Sequence, residues 1–366
     1  MKVCHFSSVH PRFDTRIFVK ECKSLSSAGH NVVLVIADGK GDFDKDGISI
    51  CDVGSPKGRL SRFTKTAWKV YRKALSVDAD VYHFHDPELM PFAYLLKKHG
   101  KCVIYDVHED LPRQMLTKPY LNQQVRKVLS FLIEKTENFF AKKYDAIVTV
   151  TAHISNRFSK LNPEVCILFN YPFVNEIPDL QPWGERKNEI CYVGSISKVR
   201  GVEELVGALK EIDVRLNLAG KFNSQELEVK VQSKLGWKKV NFLGFLSREE
   251  IVDVLNTSKV GMVNLHPTIN YVDALPVKLF EYMLAGIPVI ASNIPLWKEI
   301  VDKEKCGVVV NPFDEEEITN KISELIANDS LSEQMGKNGR EAVLKKYNWE
   351  LEEKKLLNLY DKLVQS

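Results

Sequence analysis

The strongest constraint on the fold is a regular alternation of short β-rich runs with helical patterns along the whole chain. The first half contains KVCHF, NVVLVIA, VYHFH, CVIYDV and AIVTVT, and the second half contains EICYVG, VRLNLAG, VNFLG, VGMVNL, PVIAS and GVVV. Such alternation is typical of parallel sheets that are covered by helices. Similar numbers of runs in the two halves predict two sheets, and therefore two α/β domains of Rossmann-like architecture.

A segment without periodicity separates the two halves. Residues 169 to 189, FNYPFVNEIPDLQPWGERKNE, contain three prolines, which is typical of a linker. We therefore expect an N-terminal domain over 1–172, a C-terminal domain over 173–345, and a final helix over 346–366 that packs back toward the first domain. Because ligands bind at the carboxyl ends of parallel strands, two facing sheets would place a ligand in the cleft between them.

Composition and missing motifs exclude several classes of protein. The net charge of +3 is too small to indicate nucleic-acid binding. The seven cysteines have no C-x-x-C spacing, which favours reduced thiols over disulfides or a zinc site. The start MKVCHFSSVHPRFD turns polar too early for a signal peptide, and no apolar run approaches the roughly 20 residues of a membrane span. No G-x-G-x-x-G turn follows the first strand, which argues against a nicotinamide or flavin cofactor. We expect a cytoplasmic protein.

The stretch PVKLFEYMLAG, residues 276 to 286, predicts a helix whose first turn lacks a cap. Pro276 suits the first helical position, which makes Leu275 the N-cap, and leucine accepts no hydrogen bond. The amides of Val277 and Lys278 would then point outward at the positive end of the helix dipole, where an anion binds.

Glu281 follows Lys278 by one turn on the same face of this helix. Its carboxylate would repel a phosphate directly above it but could accept two hydroxyls of an attached ribose. The alternative is a solvated Lys278–Glu281 ion pair, with Asp273 as an ordinary helix cap.

A second glycine-ended strand precedes a helix in CYVGSISKVRGVEELVGAL, residues 191 to 209. Gly194 ends the strand where the backbone must approach another group closely. Arg200 precedes the helix, where a cation is unfavourable unless an anion lies between it and the dipole. The alternative is an exposed arginine on a surface loop.

These motifs together resemble one enzyme family. YVGSISKVRGVEELV, VNFLGFLSREEI, PVKLFEYMLAGIPVIAS and KKYNWELEEK occur in the order found in retaining glycosyltransferases of family 4, which have the GT-B fold. The first half, with HPRFDTRIFVKECKSLSSAGHNVVLV, HFHDPE and YDVHED, resembles members that build bacterial surface polysaccharides.

The resemblance implies that the second domain binds a nucleotide-sugar and the first domain binds the acceptor. It implies catalytic roles for His108, Arg200, Lys278 and Asp273. The donor-binding residues it implies are Gly194, Ser195, Arg200, Phe245, Leu246, Leu275, Pro276, Val277, Lys278 and Glu281. It implies neither a cofactor nor a metal ion, because the nucleotide-sugar is a substrate and the helix amides and cations supply the positive charge.

The chain departs from the family pattern at three places. Ser195 stands where relatives have an arginine, which leaves Arg200 to bind the diphosphate with help from Lys278. Asp273 replaces the earlier of two glutamates and is shorter by a methylene. HPRFDTR replaces a glycine-rich loop, so that Asp14 and Arg16 become candidates for the acceptor side, together with His85 and Glu109.

His108 follows a strand at its carboxyl end, and the resemblance implies contact with the transferred sugar. The alternative is a histidine bonded to a loop backbone. A metal site at His83, His85, Asp86 and His108 is a weaker interpretation. Asp86, the third ligand in the chain, falls one residue too early for the familiar metallohydrolase arrangement.

KGRLSRFTKTAWKVYRK, residues 57 to 73, carries seven basic and no acidic residues. Apolar residues repeat at helical spacing through it, which is typical of a helix that lies on anionic lipid. The alternative is a helix that covers its own domain. The candidate membrane contacts are Lys57, Arg59, Arg62, Lys65, Lys69, Arg72 and Lys73.

The sequence therefore predicts a retaining glycosyltransferase that moves a sugar from a UDP- or GDP-linked donor to a sugar or lipid-linked saccharide. The expected setting is bacterial capsule, exopolysaccharide or O-antigen synthesis, with attachment to the inner face of the plasma membrane as a further expectation. The alternatives are a nucleotide-sugar epimerase of the same architecture and a catalytically inactive partner subunit.

Overall fold

A computed structural model describes residues 1–118 and 120–365. The chain divides into two compact units, Tyr171–Glu350 and the remainder, which comprises Met1–Asn170 and the chain from Leu351 onward. The predicted borders lay at 172/173 and 345/346. The last helix, Trp349–Gln365, begins in the second unit, and its residues from Leu351 onward belong to the first.

The first unit contains an eight-stranded sheet in the order β3-β4-β2-β1-β5-β6-β7-β8. Its strands are β1 Lys2–Phe6, β2 Asn31–Ile36, β3 Phe43–Lys45, β4 Ile48–Asp52, β5 Val81–Phe84, β6 Cys102–Val107, β7 Ala146–Thr149 and β8 Val165–Ile167. The five predicted strands are all present. The prediction missed β3, β4 and β8, because these short strands lack a sustained buried pattern. Strand β3 pairs antiparallel with β4.

Helices cover this sheet. They are α1 Lys23–Ser27, α2 Arg59–Ser61, α3 Ala67–Val77, α4 Met90–Lys98, α5 Leu111–Leu116, α6 Gln123–Ala141 and α7 Ala152–Phe158, with π-type turns over Thr15–Cys22 and Arg62–Thr66 and a 3₁₀ turn over Pro87–Leu89. Residues of α3, α4, α6 and α7 share one hydrophobic core with the side chains on one face of the sheet. These helices therefore pack on the same side of the first unit.

The second unit contains a six-stranded parallel sheet in the order β11-β10-β9-β12-β13-β14. Its strands are β9 Glu189–Val193, β10 Arg215–Ala219, β11 Val240–Gly244, β12 Val260–Val263, β13 Val289–Ser292 and β14 Gly307–Val310. All six predicted runs are strands here, because each is a nearly continuous apolar run bounded by polar or glycine residues. The predicted α/β class with two Rossmann-like units is confirmed.

The helices of the second unit are α8 Val202–Ala208, α9 Gln225–Gln232, α10 Arg248–Thr257, α11 Val277–Leu284, α12 Pro295–Glu304, α13 Glu315–Ala327 and α14 Asp329–Lys346, and the last helix, α15, is Trp349–Gln365. Short 3₁₀ turns lie at Val174–Glu176, Trp183–Glu185, Lys198–Arg200, Leu209–Glu211 and Leu235–Lys239. Among the described residues, no helix combines the length and apolarity that a bilayer crossing requires.

Candidate functional site

In the second unit, two cations converge on the glycine that ends β9. Gly194 has φ +130°, and a side-chain carbon built on it would lie 3.3 Å from Lys278 Nζ and 3.6 Å from Arg200 Nη1. A side chain at this position would be strained and would fill the space in front of both cations. The glycine therefore leaves open space beside two positive charges, and binding of a ligand there stays a prediction.

Lys278 is buried and forms no ion pair with any residue that the structure describes. Its Nζ atom has no hydrogen-bond partner among the described residues and lies 3.6 Å from the ring centre of Tyr192. Burial lowers the pKa of the Lys278 amine well below its usual range, and the nearby charge of Arg200 lowers it further. An uncompensated buried cation is costly, so this position favours an anionic ligand.

The helix that carries Lys278 begins one residue later than predicted. Pro276 is the N-cap with extended backbone angles, and α11 starts at Val277, so the assignment of Leu275 as N-cap was wrong. A proline accepts no side-chain bond, and no cap hydrogen bond forms. The first amides of α11 therefore remain available to a ligand at the positive end of the dipole.

Glu281 has a partner that the sequence did not indicate. Its Oε1 oxygen accepts from Arg248 Nη1 at 2.7 Å, and Arg248 also pairs with Glu176. The alternative of a Lys278–Glu281 ion pair was wrong, because the Glu281 carboxylate pairs with Arg248 instead. The arginine therefore holds the Glu281 carboxylate in place.

A cavity of about 520 Å³ opens beside Gly194 at the carboxyl ends of β9, β10 and β11. It is lined by Val193, Gly194, Ser195, Ala219, Gly220, Lys221, Phe222, Asn223, Phe245, Leu246 and Ile251. The structure thus brings Phe245 and Leu246 together with Gly194 and Ser195 around one cavity, and their role in donor binding stays a prediction. Of the other donor-side residues, Asp273, Leu275 and Val277 are half-buried in and beside the turn that precedes α11.

In the first unit, histidines from neighbouring strands form a buried chain that ends at the last helix. His83 Nδ1 lies 2.8 Å from the hydroxyl of Tyr360, and this hydroxyl lies 3.1 Å from His5 Nε2. His5 Nδ1 lies 3.0 Å from His85 Nε2. Burial lowers the pKa of all three histidines, that of His85 to about 4, so they are neutral near neutral pH.

The chain leads to Asp106 and His108. Asp106 Oδ2 lies 3.0 Å from His108 Nε2 and 3.3 Å from His85 Nδ1. A carboxylate only accepts, so both nitrogens carry protons, which leaves Nδ1 of His108 as the acceptor when the ring is neutral. The alternative role for His108, a bond to the loop backbone, was wrong, because the side chain of Asp106 holds the ring.

Four side chains of this network lie close enough to hold a metal ion. One ligand atom each from Glu21, His83, His85 and Asp106 falls within 4.8 Å of the others. Arg16 already supplies a cation there, since its Nε lies 3.0 Å from Glu21 and 3.1 Å from Asp106. The metal set considered from sequence is not assembled, because Asp86 Oδ2 instead accepts from Ser7 and Ser8. The absence of a metal stays a prediction.

The acceptor-side candidates are mostly engaged within the protein. Arg16 is buried and donates to Asp106 and to the carbonyl of Leu168, and His85 is buried behind His108. The prediction that these two face a substrate was wrong, because both are buried. Arg16 is bound to Asp106 and the carbonyl of Leu168, and His85 lies against His5 and Asp106. Asp14 caps the helical turn that follows it, while Glu109 is exposed.

The basic segment 57–73 is helical from Arg59 onward, but only some of its apolar side chains are buried. Ala67, Tyr71 and Ala74 are buried, but Leu60 and Phe63 are exposed. Arg62 pairs with the buried carboxylate of Glu88, so its assignment as a membrane contact was wrong. The cations at 57, 59, 65, 69 and 72 are exposed, whereas that at 73 is half-buried.

Sequence reasoning missed Asp106, His5, Tyr360 and Arg248. A signal existed for two of them, since His5 and Asp106 lie within β1 and β6, which flank the histidine-bearing β5. Polar side chains within buried strands that neighbour one another in the sheet indicate an internal hydrogen-bond network. No local pattern marks Tyr360 or Arg248, whose partners lie far away in the chain.

Comparisons with known proteins agree with this architecture. The family model described as Glycosyltransferase Family 4 matches residues 16–169, and the model described as Glycosyl transferases group 1 matches residues 174–342. The two matches fall in the first and second units, respectively.

Curated relatives match over part of their length. Spore coat protein SA of Bacillus subtilis is 27% identical over 189 residues, which are 48% of this chain and 49% of that protein. MMP alpha-(1->4)-mannosyltransferase of Mycolicibacterium hassiacum is 26% identical over 188 residues, which are 50% of this chain and 44% of that protein. The chain therefore spans about half the length of these relatives.

Solved structures match over the whole chain. Sucrose-phosphate synthase from Thermosynechococcus elongatus superimposes with a TM-score of 0.76 at 18% identity, over 100% of this chain and 99% of that one. Anabaena HepE, solved in complex with UDP-glucose, gives a TM-score of 0.73 at 15% identity, over 99% and 100%. At these identities the likeness shows the fold alone. With both halves matched in chain order, the protein belongs to the family 4-type glycosyltransferases of the GT-B fold.

Proposed function

We propose that the protein transfers a sugar from a nucleotide-sugar to a saccharide acceptor with retention of the anomeric configuration. The donor is UDP- or GDP-linked, and the acceptor is a sugar or a lipid-linked saccharide. The reaction serves the assembly of a bacterial capsule, exopolysaccharide or O-antigen.

One observation carries this proposal: two cations converge at Gly194 beside the uncapped start of α11. One of them, Lys278, is buried and has no hydrogen-bond partner in the described part of the chain. A diphosphate fits that arrangement, since it brings two linked anionic groups to the amides and cations. The neighbouring cavity and Glu281 suit a base and a ribose. HepE, which has the same fold, was solved with UDP-glucose bound, and this supports a donor of the same class here.

The chemistry follows from the charges that develop during transfer. The anomeric carbon becomes positive and the leaving diphosphate becomes more negative as their bond breaks. Arg200, Lys278 and the amides of α11 stabilise the diphosphate without reorganising. The acceptor hydroxyl attacks from the face that the diphosphate leaves, and a diphosphate oxygen takes its proton. No protein nucleophile is needed, and no resident metal takes part.

Product formation with a panel of donors tests the proposed function. The protein is incubated with UDP-, GDP-, ADP- and CMP-linked sugars and saccharide acceptors, with and without EDTA, and nucleotide release and product are followed. Transfer from one donor, unaffected by EDTA and with an α-linked product from an α-linked donor, is expected. Nucleotide binding without transfer would favour the inactive-subunit alternative, and an altered free nucleotide-sugar would favour the epimerase.

Glu281→Ala should weaken nucleoside diphosphate binding by about tenfold or more, because hydrogen bonds to a charged acceptor contribute roughly 1.5–3 kcal/mol. Calorimetry with UDP and GDP measures this loss. Glu299, an exposed glutamate of α12, offers the matched control, and Glu299→Ala should bind like the wild type. Unchanged affinity in Glu281→Ala would remove this residue from the donor site.

We also propose that the exposed cations of segment 57–73 attract the protein to an anionic membrane surface. Exposed Leu60 and Phe63 lie among these cations, and the segment contains no acidic residue. This mixture of charge and apolar surface suits the headgroup region of a bilayer.

The triple change of Lys65, Lys69 and Arg72 to alanine should weaken binding to anionic vesicles by on the order of a hundredfold at low salt, since each cation contributes about 1 kcal/mol. Cosedimentation with phosphatidylserine-containing vesicles measures it. Three exposed lysines of the second unit, Lys187, Lys303 and Lys337, provide the control triple. Equal binding of neutral and anionic vesicles by the wild type would contradict the proposal.

A further inference from the structure

Helix α6 carries apolar side chains on its solvent-facing side as well as on its buried side. Val128, Phe131, Leu132 and Phe139 are each more than half exposed. At about 100° per residue, these four positions fall on one face, opposite the buried Ser130 and Glu137. Single exposed apolar residues are ordinary, but four on one face of a helix indicate a contact surface.

Lysines surround this apolar face. Lys135 lies on the face itself, with its amine 5.3 Å from the ring centre of Phe131. Lys127 and Lys142 flank the face, and Lys143 lies 5.8 Å from the ring centre of Phe139. The two acidic residues of the helix lie elsewhere, Glu137 buried in a pair with Arg157 and Glu134 half-buried toward the other side.

Two occupants suit an apolar face, and the charges decide between them. A second copy of the chain would bring the same lysines against one another in a two-fold contact, which like charges disfavour. An anionic bilayer accepts both features, because the lysines meet the headgroups while the apolar side chains enter the acyl boundary.

The position of α6 in the fold supports the same choice. The rings of Phe140 and Tyr94 pack 5.8 Å apart and join α6 to α4, and Phe92 of α4 lies 6.0 Å from Trp68 of α3. All three helices cover the same side of the first sheet. The apolar face of α6 and the basic residues of α3 therefore belong to one side of the first unit.

We propose that the outward face of α6 inserts into the boundary region of an anionic bilayer and adds an apolar, salt-resistant attachment. Attachment through α6 is independent of the proposed sugar transfer. It differs from the electrostatic attraction of segment 57–73, which salt screens.

The double change Phe131→Lys and Leu132→Lys separates insertion from attraction. It adds two positive charges, so a purely electrostatic surface would bind anionic vesicles more tightly. Insertion predicts the opposite: about a tenfold or greater loss of binding to phosphatidylcholine–phosphatidylserine vesicles, in low and in high salt alike, since two apolar side chains leave the acyl boundary. Leu235→Lys, at an exposed leucine of the second unit, should bind no more weakly than the wild type.

Further measurements and one further variant accompany the vesicle assay. Circular dichroism should show the wild-type helical content, and Phe139→Lys, another change on the same face, should show the same direction of loss. Sugar transfer to a soluble acceptor should be unchanged, so that a failure of the proposed function is recognised separately. Unchanged or tighter vesicle binding overturns the inference, as does a wild-type dimer in light scattering that the double change dissociates.

Discussion

Arg200→Ala should lower kcat by roughly a hundred- to a thousandfold, the range found when one preorganised charge-stabilising donor is removed. The guanidinium lies beside Gly194 together with Lys278, where the charge of the leaving diphosphate increases. Because that charge is larger in the transition state than in the bound donor, kcat should fall more than the affinity for the donor. Steady-state kinetics and calorimetry on the same variant give the two quantities.

Two further variants, one at Arg200 and one at Ser195, test the same role of positive charge beside Gly194. Arg200→Lys keeps the charge but loses the planar fork that contacts two phosphate oxygens, so its loss should be smaller than that of alanine. Ser195→Arg should be tolerated or improve donor affinity, since it adds the cation that the family resemblance implies at this position. Arg215, exposed at the start of β10, serves as the control. Wild-type kinetics in Arg200→Ala would show that the diphosphate binds elsewhere.

Lys278→Met should affect stability and binding in opposite directions. Without ligand, the variant should unfold at a higher temperature than the wild type, because it removes a buried amine that makes no hydrogen bond to the residues described by the structure. Its affinity for a nucleoside diphosphate should fall about ten- to a hundredfold, since a charged hydrogen bond is lost. Lys303→Met, at an exposed lysine of α12, should change neither quantity.

The pH dependence provides an internal check on Lys278. The folded state lowers the pKa of its amine, so the unfolded chain binds more protons in the window between the folded and unfolded pKa values. Stability of the wild type therefore rises with pH across that window, and the variant lacks this contribution. The difference in melting temperature between them should shrink from about pH 7 to about pH 9. A constant difference would mean that the amine is not destabilising.

Binding should show the reverse dependence on pH. An anion stabilises the charged amine and raises its pKa, so that diphosphate binding takes up a proton where the free amine is partly neutral. Wild-type affinity should therefore fall as pH rises through this window, and that of Lys278→Met should fall less. Calorimetry in buffers of different ionisation enthalpy measures the proton uptake directly.

Much of the second unit could be predicted from local patterns. Each of its six strands is a short apolar run, and Gly194 and Pro276 mark a strand end and a helix start through their own backbone restrictions. The first unit was predicted less completely, because β3 and β8 are only three residues long and carry no sustained period. The start of α11 shifted by one residue, since a proline suits both the N-cap and the first helical position.

By itself, the sequence determined the two α/β units, the glycine at the end of β9, and the cations and uncapped helix that follow. Those properties depend on neighbours within a few residues. Only the tertiary structure decided which charges are paired: Glu281 pairs with Arg248, Arg16 turns inward to Asp106, and Lys278 has no hydrogen-bond partner among the described residues. Tyr360 meets His5 across 355 positions. Charge pairing depends on which elements fold together, and no local periodicity carries that information.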